Sequence, residues 1–415
     1  MDYNILFNQG IKVEDCTSFE VLNDKDETYI FIKLKPTERI CPFCGVKGTK
    51  IKEYKSKTVR SLAQGKNKTI IIYSVPRFTC PICGKTYTQN ISNYSYNSIS
   101  SILKKKMLIK FSQICSFKSI AEEYDLSQQE VLNIFDEITP NLKHKFTDAL
   151  CIDEFSNIRK DDCKYACVLL DFISHEVIDI LPSRTTPYLD EYFKNINLNT
   201  RNAVKFIITD MYDGYISAAK RWFKNATIAI DPFHYMEYIT NAVQDVRRRI
   251  LDDESKYFKD AAWMGTHWRL LTTNPKNFPK GNMILKSGIS ISYMDRVMRF
   301  VRQDKELLLA FLELQNMYYD FSKLSYERAQ SYFNMKINSL LNSTIPEFVE
   351  CGKTWNHYKE YIINSFIIHN GKRLSNGPIE GFNKRVKELK SVMSGYRNKE
   401  RFYKRIVLIH NAKKR

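Results

Sequence analysis

At 415 residues and 43% hydrophobic content, the chain is long enough for about two or three domains with at least one large core, which excludes a disordered polymer. Its net charge of +18 is held in two blocks: residues 41–118 carry 15 Lys/Arg against Glu53 alone, and residues 371–415 carry 14 against Glu380, Glu388 and Glu400. No run of about 18 apolar residues exists and MDYNILFNQGIKVED has no basic start or apolar run, so neither a membrane span nor a signal peptide is expected.

Two basic blocks around an acidic middle point to a polyanionic partner, nucleic acid before membrane. The plain alternative is a solvated lysine-rich surface. Residues 1–95 are β-rich: TYIFIKLKP and KTIIIYSVPRFTC have the β-branched and aromatic character of strands. Within them Cys41-Pro-Phe-Cys44-Gly45 and Cys80-Pro-Ile-Cys83-Gly84 are two copies of one device. Zn²⁺ takes four thiolates in a tetrahedron, a two-residue spacer lets both sulfurs of a turn face one ion, and glycine next admits the positive φ that turns the chain back. One structural Zn is expected at Cys41, Cys44, Cys80 and Cys83, and this spacing favours a reducing cytosol. Cys16, Cys115, Cys151, Cys163, Cys167 and Cys351 lack such spacing and read as small buried hydrophobes.

Residues 97–140 read as helices. FKSIAEEYDLSQQEVLNIFDEI places Phe117, Ile120, Ala121 and Tyr124 on one face, turns near Asp125–Leu126, and restarts with Ser127 and Glu130 spaced as a capping box. Val131, Ile134, Phe135 and Ile138 form the second helix's buried stripe, leaving Gln128, Gln129 and Asn133 outward. Two short helices with this turn fit a helix-turn-helix that reads DNA, supported by Lys104, Lys105 and Lys106 just upstream; an ordinary helical hairpin is the alternative.

Residues 149–235 alternate strand and helix, an α/β pattern, and residues 235–370 read as helical throughout, with NPKNFPKGN as a loop. Asp153 after ALCI and Asp210 after VKFIIT lie at or near strand ends, where ligands collect in α/β sheets. Glu380 opens a helix in LSNGPIEGFNKRVKELK, with Gly377 as N-cap, Pro378 at N1 and Lys384 as its i,i+4 partner. Three such acids suit two Mg²⁺ ions about 3.5–4 Å apart at a phosphodiester, with Mn²⁺ as a substitute. The basic residues Lys384, Arg385, Lys387 and Lys390 would lie along the phosphates. Each acid also has a duller reading: Asp210 or Asp213 as a helix cap, Asp153 as a turn residue, Glu380 as a helix-dipole partner. Asp231 ends IAID and is a rival second ligand, His234 beside it reads as packed or hydrogen-bonded, and Glu154 is expected to point away from Asp153.

The paired CPxCG knuckles, IDEFSNIRK, TDMYDGY, DPFHY and LSNGPIEGFNKRVKELKSVMSGYRN, in this order, resemble the ISL-three family of bacterial insertion-sequence transposases over nearly the whole chain. The resemblance implies a ribonuclease H-like catalytic core with a DDE triad at Asp153, Asp210 and Glu380, and a helical insertion before the Glu helix. Two departures stand out: the added acids Asp161 and Asp162, and the long gap between the knuckles. The expected organisation is a multidomain α/β chain. A β-rich zinc-ribbon-like module spans 1–95, a helix-turn-helix region 96–145, the core 146–235, the helical insertion 236–370, and the Glu helix with the basic C-terminus 371–415. The expected activity is metal-dependent cleavage and strand transfer at terminal inverted repeats. The expected partner is double-stranded DNA, element ends and target, bound by a homo-oligomer, a dimer, in the bacterial cytoplasm at the nucleoid. A regulator or domesticated transposase that binds without cutting, or a nuclease that does not join strands, would share the knuckles and basic blocks.

Overall fold

The computed structural model describes residues 3–37, 40–91, 94–95, 98–139, 142, 145–158, 163–254, 258–285, 287–392 and 398–412. Asp161, Asp162 and the residues Gly395, Tyr396 and Arg397 of the GYRN stretch lie outside them. The chain forms two compact units, Met1–Asn141 with Arg385–Arg415, and Leu142–Lys384. Residues 371–415, read from sequence as one segment, are shared between the two.

The first unit starts with α1 (Tyr3–Asn8) and a sheet of β1 (Cys16–Asp24), β2 (Glu27–Leu34), β3 (Lys50–Gln64), β4 (Asn67–Thr79), β5 (Thr86–Thr88), β6 (Tyr94–Ser95) and β7 (Ile99–Ser100). The described strands run β1-β2-β4-β3-β7-β6, with β5 also on β4. One face of the sheet is covered, so burial alternates along β4: Thr69, Ile71, Tyr73 and Val75 are buried, and the last three join Ile30, Ile32, Val59 and Leu6 in one core.

Three helices follow: α2 (Ser101–Phe111), α3 (Phe117–Glu123) and α4 (Gln128–Asp136). Each is started by a serine whose side chain accepts a backbone N–H, from Leu103 at Ser100, Ser119 at Ser116 and Glu130 at Ser127. The Ser127–Glu130 pair is a complete capping box, as its spacing predicts. Asp125 makes the turn between α3 and α4 at φ 52°, a region asparagine and aspartate tolerate better than other non-glycine residues. Phe111, Phe117 and Phe135 meet edge to face, with centroids 4.9–6.0 Å apart.

The last helix, α16 (Lys399–Ala412), packs on this trio. Arg405 is fully buried, lies 5.5 Å from the Phe111 centroid and 5.0 Å from that of Phe117, and donates to the carbonyls of Gln113 and Cys115. Arg401 forks onto the Asp136 carboxylate, and the Lys404 ammonium donates to the Asp136 carbonyl at 2.8 Å. Part of the C-terminal basic charge is therefore spent inside this unit.

The second unit is built on β8 (Ala149–Ser156), β9 (Tyr165–Asp171), β10 (Val177–Leu181), β11 (Phe206–Thr209) and β12 (Thr227–Ile230), in the order β10-β9-β8-β11-β12. β8, β9 and β10 are an antiparallel meander, while β11 and β12 run parallel to β8. Parallel neighbours need crossovers, supplied by α5 (Thr186–Lys194) with α6 (Leu198–Asn202), and by α7 (Asp213–Trp222). The central strands are apolar on both faces: Leu150, Cys151, Val168, Leu169, Ile207 and Ile208 are all buried.

After β12 the chain enters α8 (Pro232–Glu254), α9 (Ala261–Thr266), a β13–β14 hairpin (Asn282–Ile284 and Ser290–Ser292), and α10 (Tyr293–Val301), α11 (Lys305–Phe321), α12 (Tyr326–Leu341), α13 (Pro346–His357) and α14 (Lys359–Asn364). The hairpin departs from the all-helical expectation; Gly281 and Gly288, at φ 99° and 81°, sit in positive-φ turns that no helix accepts. Tyr235, Phe321, Phe333 and Trp355 pack as a ring cluster, and the Trp355 indole donates to the Tyr235 carbonyl at 3.0 Å. A short β15–β16 hairpin (Ile368–His369 and Lys372–Arg373) turns at Asn370–Gly371, both at positive φ. It leads into α15 (Gly377–Val392).

Of the six remaining cysteines, Cys151, Cys167 and Cys351 are buried as expected, whereas Cys16, Cys115 and Cys163 are half-exposed. Among the described residues no helix is long and apolar enough to cross a membrane. Replacing Arg405 removes a large buried side chain and strands two carbonyls. Arg405→Ala is predicted to cost about 3 kcal/mol of stability in the first unit, read by chemical denaturation of the full chain.

Candidate functional site

The four knuckle cysteines converge. Their Sγ atoms all lie within 4.8 Å of one another, and the Cys41–Cys83 and Cys44–Cys80 pairs are each 3.6 Å apart. A tetrahedron with Zn–S bonds of about 2.3 Å has edges of about 3.8 Å, so the donor set fits zinc. The two loops repeat one another in detail. The N–H groups of Gly45 and Gly84 donate to the carbonyls of Cys41 and Cys80, and the N–H groups of Cys41 and Cys80 donate to the carbonyls of Val46 and Lys85. Gly45 and Gly84 take φ of 74° and 67°. β3 and β4 lie between the knuckles and bring them together, which accounts for the long gap in sequence. Backbone N–H groups of Cys83 and Ile82 aimed at Cys80 bring its thiol down to about 6 against the effect of burial, which suits a thiolate ligand.

A second cluster lies in the five-stranded sheet. One carboxylate oxygen from each of Asp153, Glu154 and Asp210 lies within 4.8 Å of the others. Strand pairing explains why. β8 pairs with β11 only as far as Cys151 opposite Ile208, but with β9 as far as Ser156 opposite Tyr165. Extending the β8–β11 register by two places Asp210 opposite Asp153, where the parallel pair has just opened. Asp153 is thus mid-strand with respect to β9 rather than at the end of β8, because β9 carries the ladder onward. Burial, with the charges of Asp210, Glu154 and Asp231, pushes the Asp153 carboxyl up to about 8. Burial and Glu154 push Asp210 up to about 6, opposed by His234, the Tyr212 N–H and Arg184. Carboxylates crowded this way are ionised together only beside added positive charge.

Glu154 does not turn away from Asp153 as simple alternation predicts. The Asp153 carboxylate accepts the Glu154 N–H at 2.7 Å, bending back along the strand. The Glu154 carboxylate is drawn in by Arg184 Nη1 at 2.5 Å and the Tyr215 hydroxyl at 3.2 Å.

Glu380 lies outside the 4.8 Å set, in the first turn of α15, with its carboxyl raised by burial and by Asp231, against His234. That helix begins one residue earlier than its sequence suggests. The N–H groups of Ile379 and Glu380 both donate to the carbonyl of Asn376, so Asn376 takes the cap position expected of Gly377. No ion pair joins Glu380 to Lys384 among the described residues.

The start of α15 is fixed to β8 by groups that sequence reading passed over. The Asn376 amide donates to the Ile152 carbonyl at 3.2 Å, Phe382 packs on Phe155 at 5.7 Å, and the Asn383 amide donates to Asp153 Oδ2 at 3.1 Å and to the Glu154 carbonyl at 3.2 Å. Asn383 is three residues after Glu380, on the same helical face, and this spacing was the one available signal. Asp231, the rival ligand, is 2% exposed and accepts backbone N–H groups from Asn376 at 2.6 Å and Phe233 at 3.3 Å, so it clamps the starts of α15 and α8. The His234 ring meets Phe233 edge-on.

The candidate nucleic-acid contacts fall on differing surroundings. Gln128, Gln129 and Asn133 are exposed along α4, Gln129 donating to Asn133 at 2.7 Å. Lys105 and Lys106 are exposed, while Lys104 pairs with Glu137. Lys384 and Lys387 are exposed; Arg385 donates to His410 Nδ1 at 2.6 Å, and half-buried Lys390 lies 5.7 Å from the Phe402 centroid, where burial lowers its ammonium's proton affinity.

Two outcomes are predicted. Cys80→Ser should abolish the one zinc per chain measured by elemental analysis, and chelation of the wild-type metal should unfold the module. Asn383→Ala should weaken Mn²⁺ binding to the full chain by roughly tenfold or more in calorimetry, as expected when a carboxylate's supporting donor is removed.

A transposase family model, of the DDE type named for ISL3, matches residues 150–406. A second, described as the zinc-finger of transposase IS204/IS1001/IS1096/IS1165, matches residues 37–83 and supports the structural zinc. No curated protein matches. A solved structure, the Drosophila P element transposase strand transfer complex, is similar at 9% identity over 78% of this chain and 79% of that one, with a TM-score of 0.24. With more than half its length matched by the one family model and its knuckles by the other, the chain belongs to the ISL3 family of DDE transposases, an enzyme of DNA transposition that carries an N-terminal zinc ribbon.

Proposed function

We propose that the chain cuts and joins DNA at the ends of a bacterial insertion sequence, with Asp153, Asp210 and Glu380 as its catalytic acids. The observation that carries this reading is the opening of the β8–β11 pair at Asp153 and Asp210, with α15 tied to the same strand through Asn383. The sheet order β10-β9-β8-β11-β12, antiparallel on one side and parallel on the other, supports a ribonuclease H-like core. The exposed polar face of α4 after a capped turn supports a helix-turn-helix. On this reading the zinc module spans 1–95, the helix-turn-helix region 96–145, the core 146–235, the insertion 236–370 and the Glu helix with the C-terminus 371–415.

Oxygen donors crowded by their own charge fit a hard divalent cation, assigned as two Mg²⁺ with Mn²⁺ as substitute. When bound there, such ions activate a water and then a 3′-OH at a phosphodiester and stabilise the leaving oxygen. The chain's own residues set the geometry. The Asn383 amide holds Oδ2 of Asp153 and the Glu154 N–H holds Oδ1, while the Tyr212 N–H holds Asp210. Asp231 anchors the two helix starts that flank the site. No covalent protein–DNA intermediate is needed, since each nucleophile is an oxygen of water or DNA. Exposed Lys384 and Lys387 follow Glu380 on its helix and would meet phosphates, with the α4 residues and the lysines of α2 binding terminal inverted repeats. The enzyme would act as a dimer on DNA, in the cytoplasm at the nucleoid.

Asp210→Asn should lower cleavage of a terminal-repeat duplex in Mg²⁺ by roughly a thousandfold or more while leaving end binding intact. Glu380→Gln should do the same. Normal cleavage by Asp210→Asn would sink the assignment and shift attention to Asp231.

A further inference from the structure

Glu154 is the one member of the carboxylate cluster whose two oxygens are both taken by side chains. Oε1 accepts from Arg184 Nη1 at 2.5 Å and Oε2 from the Tyr215 hydroxyl at 3.2 Å. Among the described residues, Asp153 and Asp210 are held by backbone and amide N–H groups, which leave lone pairs for a cation.

Arg184 itself is unusually constrained. Its guanidinium lies 4.4 Å from the Tyr165 centroid and 4.5 Å from that of Tyr212. Tyr165 pairs on β9 with the end of β8, and Tyr212 is two residues past Asp210, so both rings belong to the rim of the cluster. The Arg184 side chain is 26% exposed and that of Glu154 is 20% exposed. A side chain buried for stability alone would not need a planar fork held by two rings and an acid while part of it still meets solvent. Arginine has five N–H donors, and one is committed to Glu154. A guanidinium pre-set in this way, beside acids that would hold metal, suits a phosphate oxygen.

We propose that Arg184 is a DNA-contacting residue that receives a backbone phosphate next to the scissile bond, and that Glu154 is its positioning residue rather than a metal ligand. Tyr165 and Tyr212 fix the plane of the guanidinium, Glu154 fixes its rotation, and Tyr215 fixes Glu154. The proposal rests on the reading of the cluster as the place where the strand is cut, but its test does not require cutting.

The experiment uses the full chain and a short labelled duplex of arbitrary sequence, titrated over a range of salt with Ca²⁺ in place of Mg²⁺, with circular dichroism confirming that each variant folds. Arg184→Ala should weaken binding and reduce the slope of log affinity against log salt by about 0.9, the value for one phosphate contact. Arg184→Lys should keep the slope, since one charge remains, and bind more weakly than wild type because the fork is lost. Glu154→Gln should bind Mn²⁺ at the wild-type stoichiometry in calorimetry, and Glu154→Gln with Arg184→Ala should lose no more DNA affinity than Arg184→Ala alone. An unchanged salt slope in Arg184→Ala would overturn the phosphate contact. Loss of a bound Mn²⁺ in Glu154→Gln would overturn the positioning role and make Glu154 a ligand. Failure of the Asp210→Asn cleavage test would leave both results readable, because neither depends on turnover.

Discussion

Like-charge repulsion among carboxylates at the opening between β8 and β11 is the constraint around which the second unit is arranged. Asp153, Glu154 and Asp210 place oxygens within 4.8 Å of one another in a largely buried setting, and burial pushes the first and last well above the ordinary carboxylate range. Such a cluster is stable as charge only with compensation. The structure supplies some of it through Arg184 on Glu154 and directed N–H groups on Asp153 and Asp210. Divalent cations would supply the rest. The sheet makes this possible because β9 keeps β8 extended after β11 has ended, so the acids meet at a seam of the sheet and not within a closed ladder.

The zinc module solves the opposite problem. Its core of Ile30, Ile32, Val59, Ile71 and Val75 covers only one side of the sheet, and the knuckles adjoin the Lys50–Thr79 end of the β3–β4 pair. A metal that binds four thiolates contributes folding energy there that so small an apolar cluster does not. The helical trio beside it in sequence depends on a different device, the buried Arg405 of α16 laid across Phe111 and Phe117. Residues 399–412 are thus structural partners of α2–α4 as well as carriers of charge.

Features coded within a few residues were legible from sequence. The two CPxCG loops, the Ser127–Glu130 capping box and the aspartates after VKFIIT and IAID depend on local spacing, and the structure places them where that spacing suggests; the Glu helix is found as well, but it starts one residue early, at Gly377. Features that depend on pairing between distant segments were not. That Asp153 is mid-strand depends on β9, more than ten residues away; that Glu154 joins the cluster depends on Arg184 and Tyr215. Asn376 and Asn383 reach β8 across more than two hundred residues, and beyond the three-residue spacing of Asn383 from Glu380 no local pattern marks them. Asp231 looked like a ligand because it ends a strand, yet its oxygens are directed to backbone N–H groups that only the tertiary fold brings near.

The most direct test of this account is the anomalous scattering of Mn²⁺ in crystals of the full chain bound to DNA. The account predicts Mn²⁺ density at Asp153, Asp210 and Glu380, with Glu154 still on Arg184. Density at Asp231, or none near Asp153 and Asp210 with DNA in place, would contradict it.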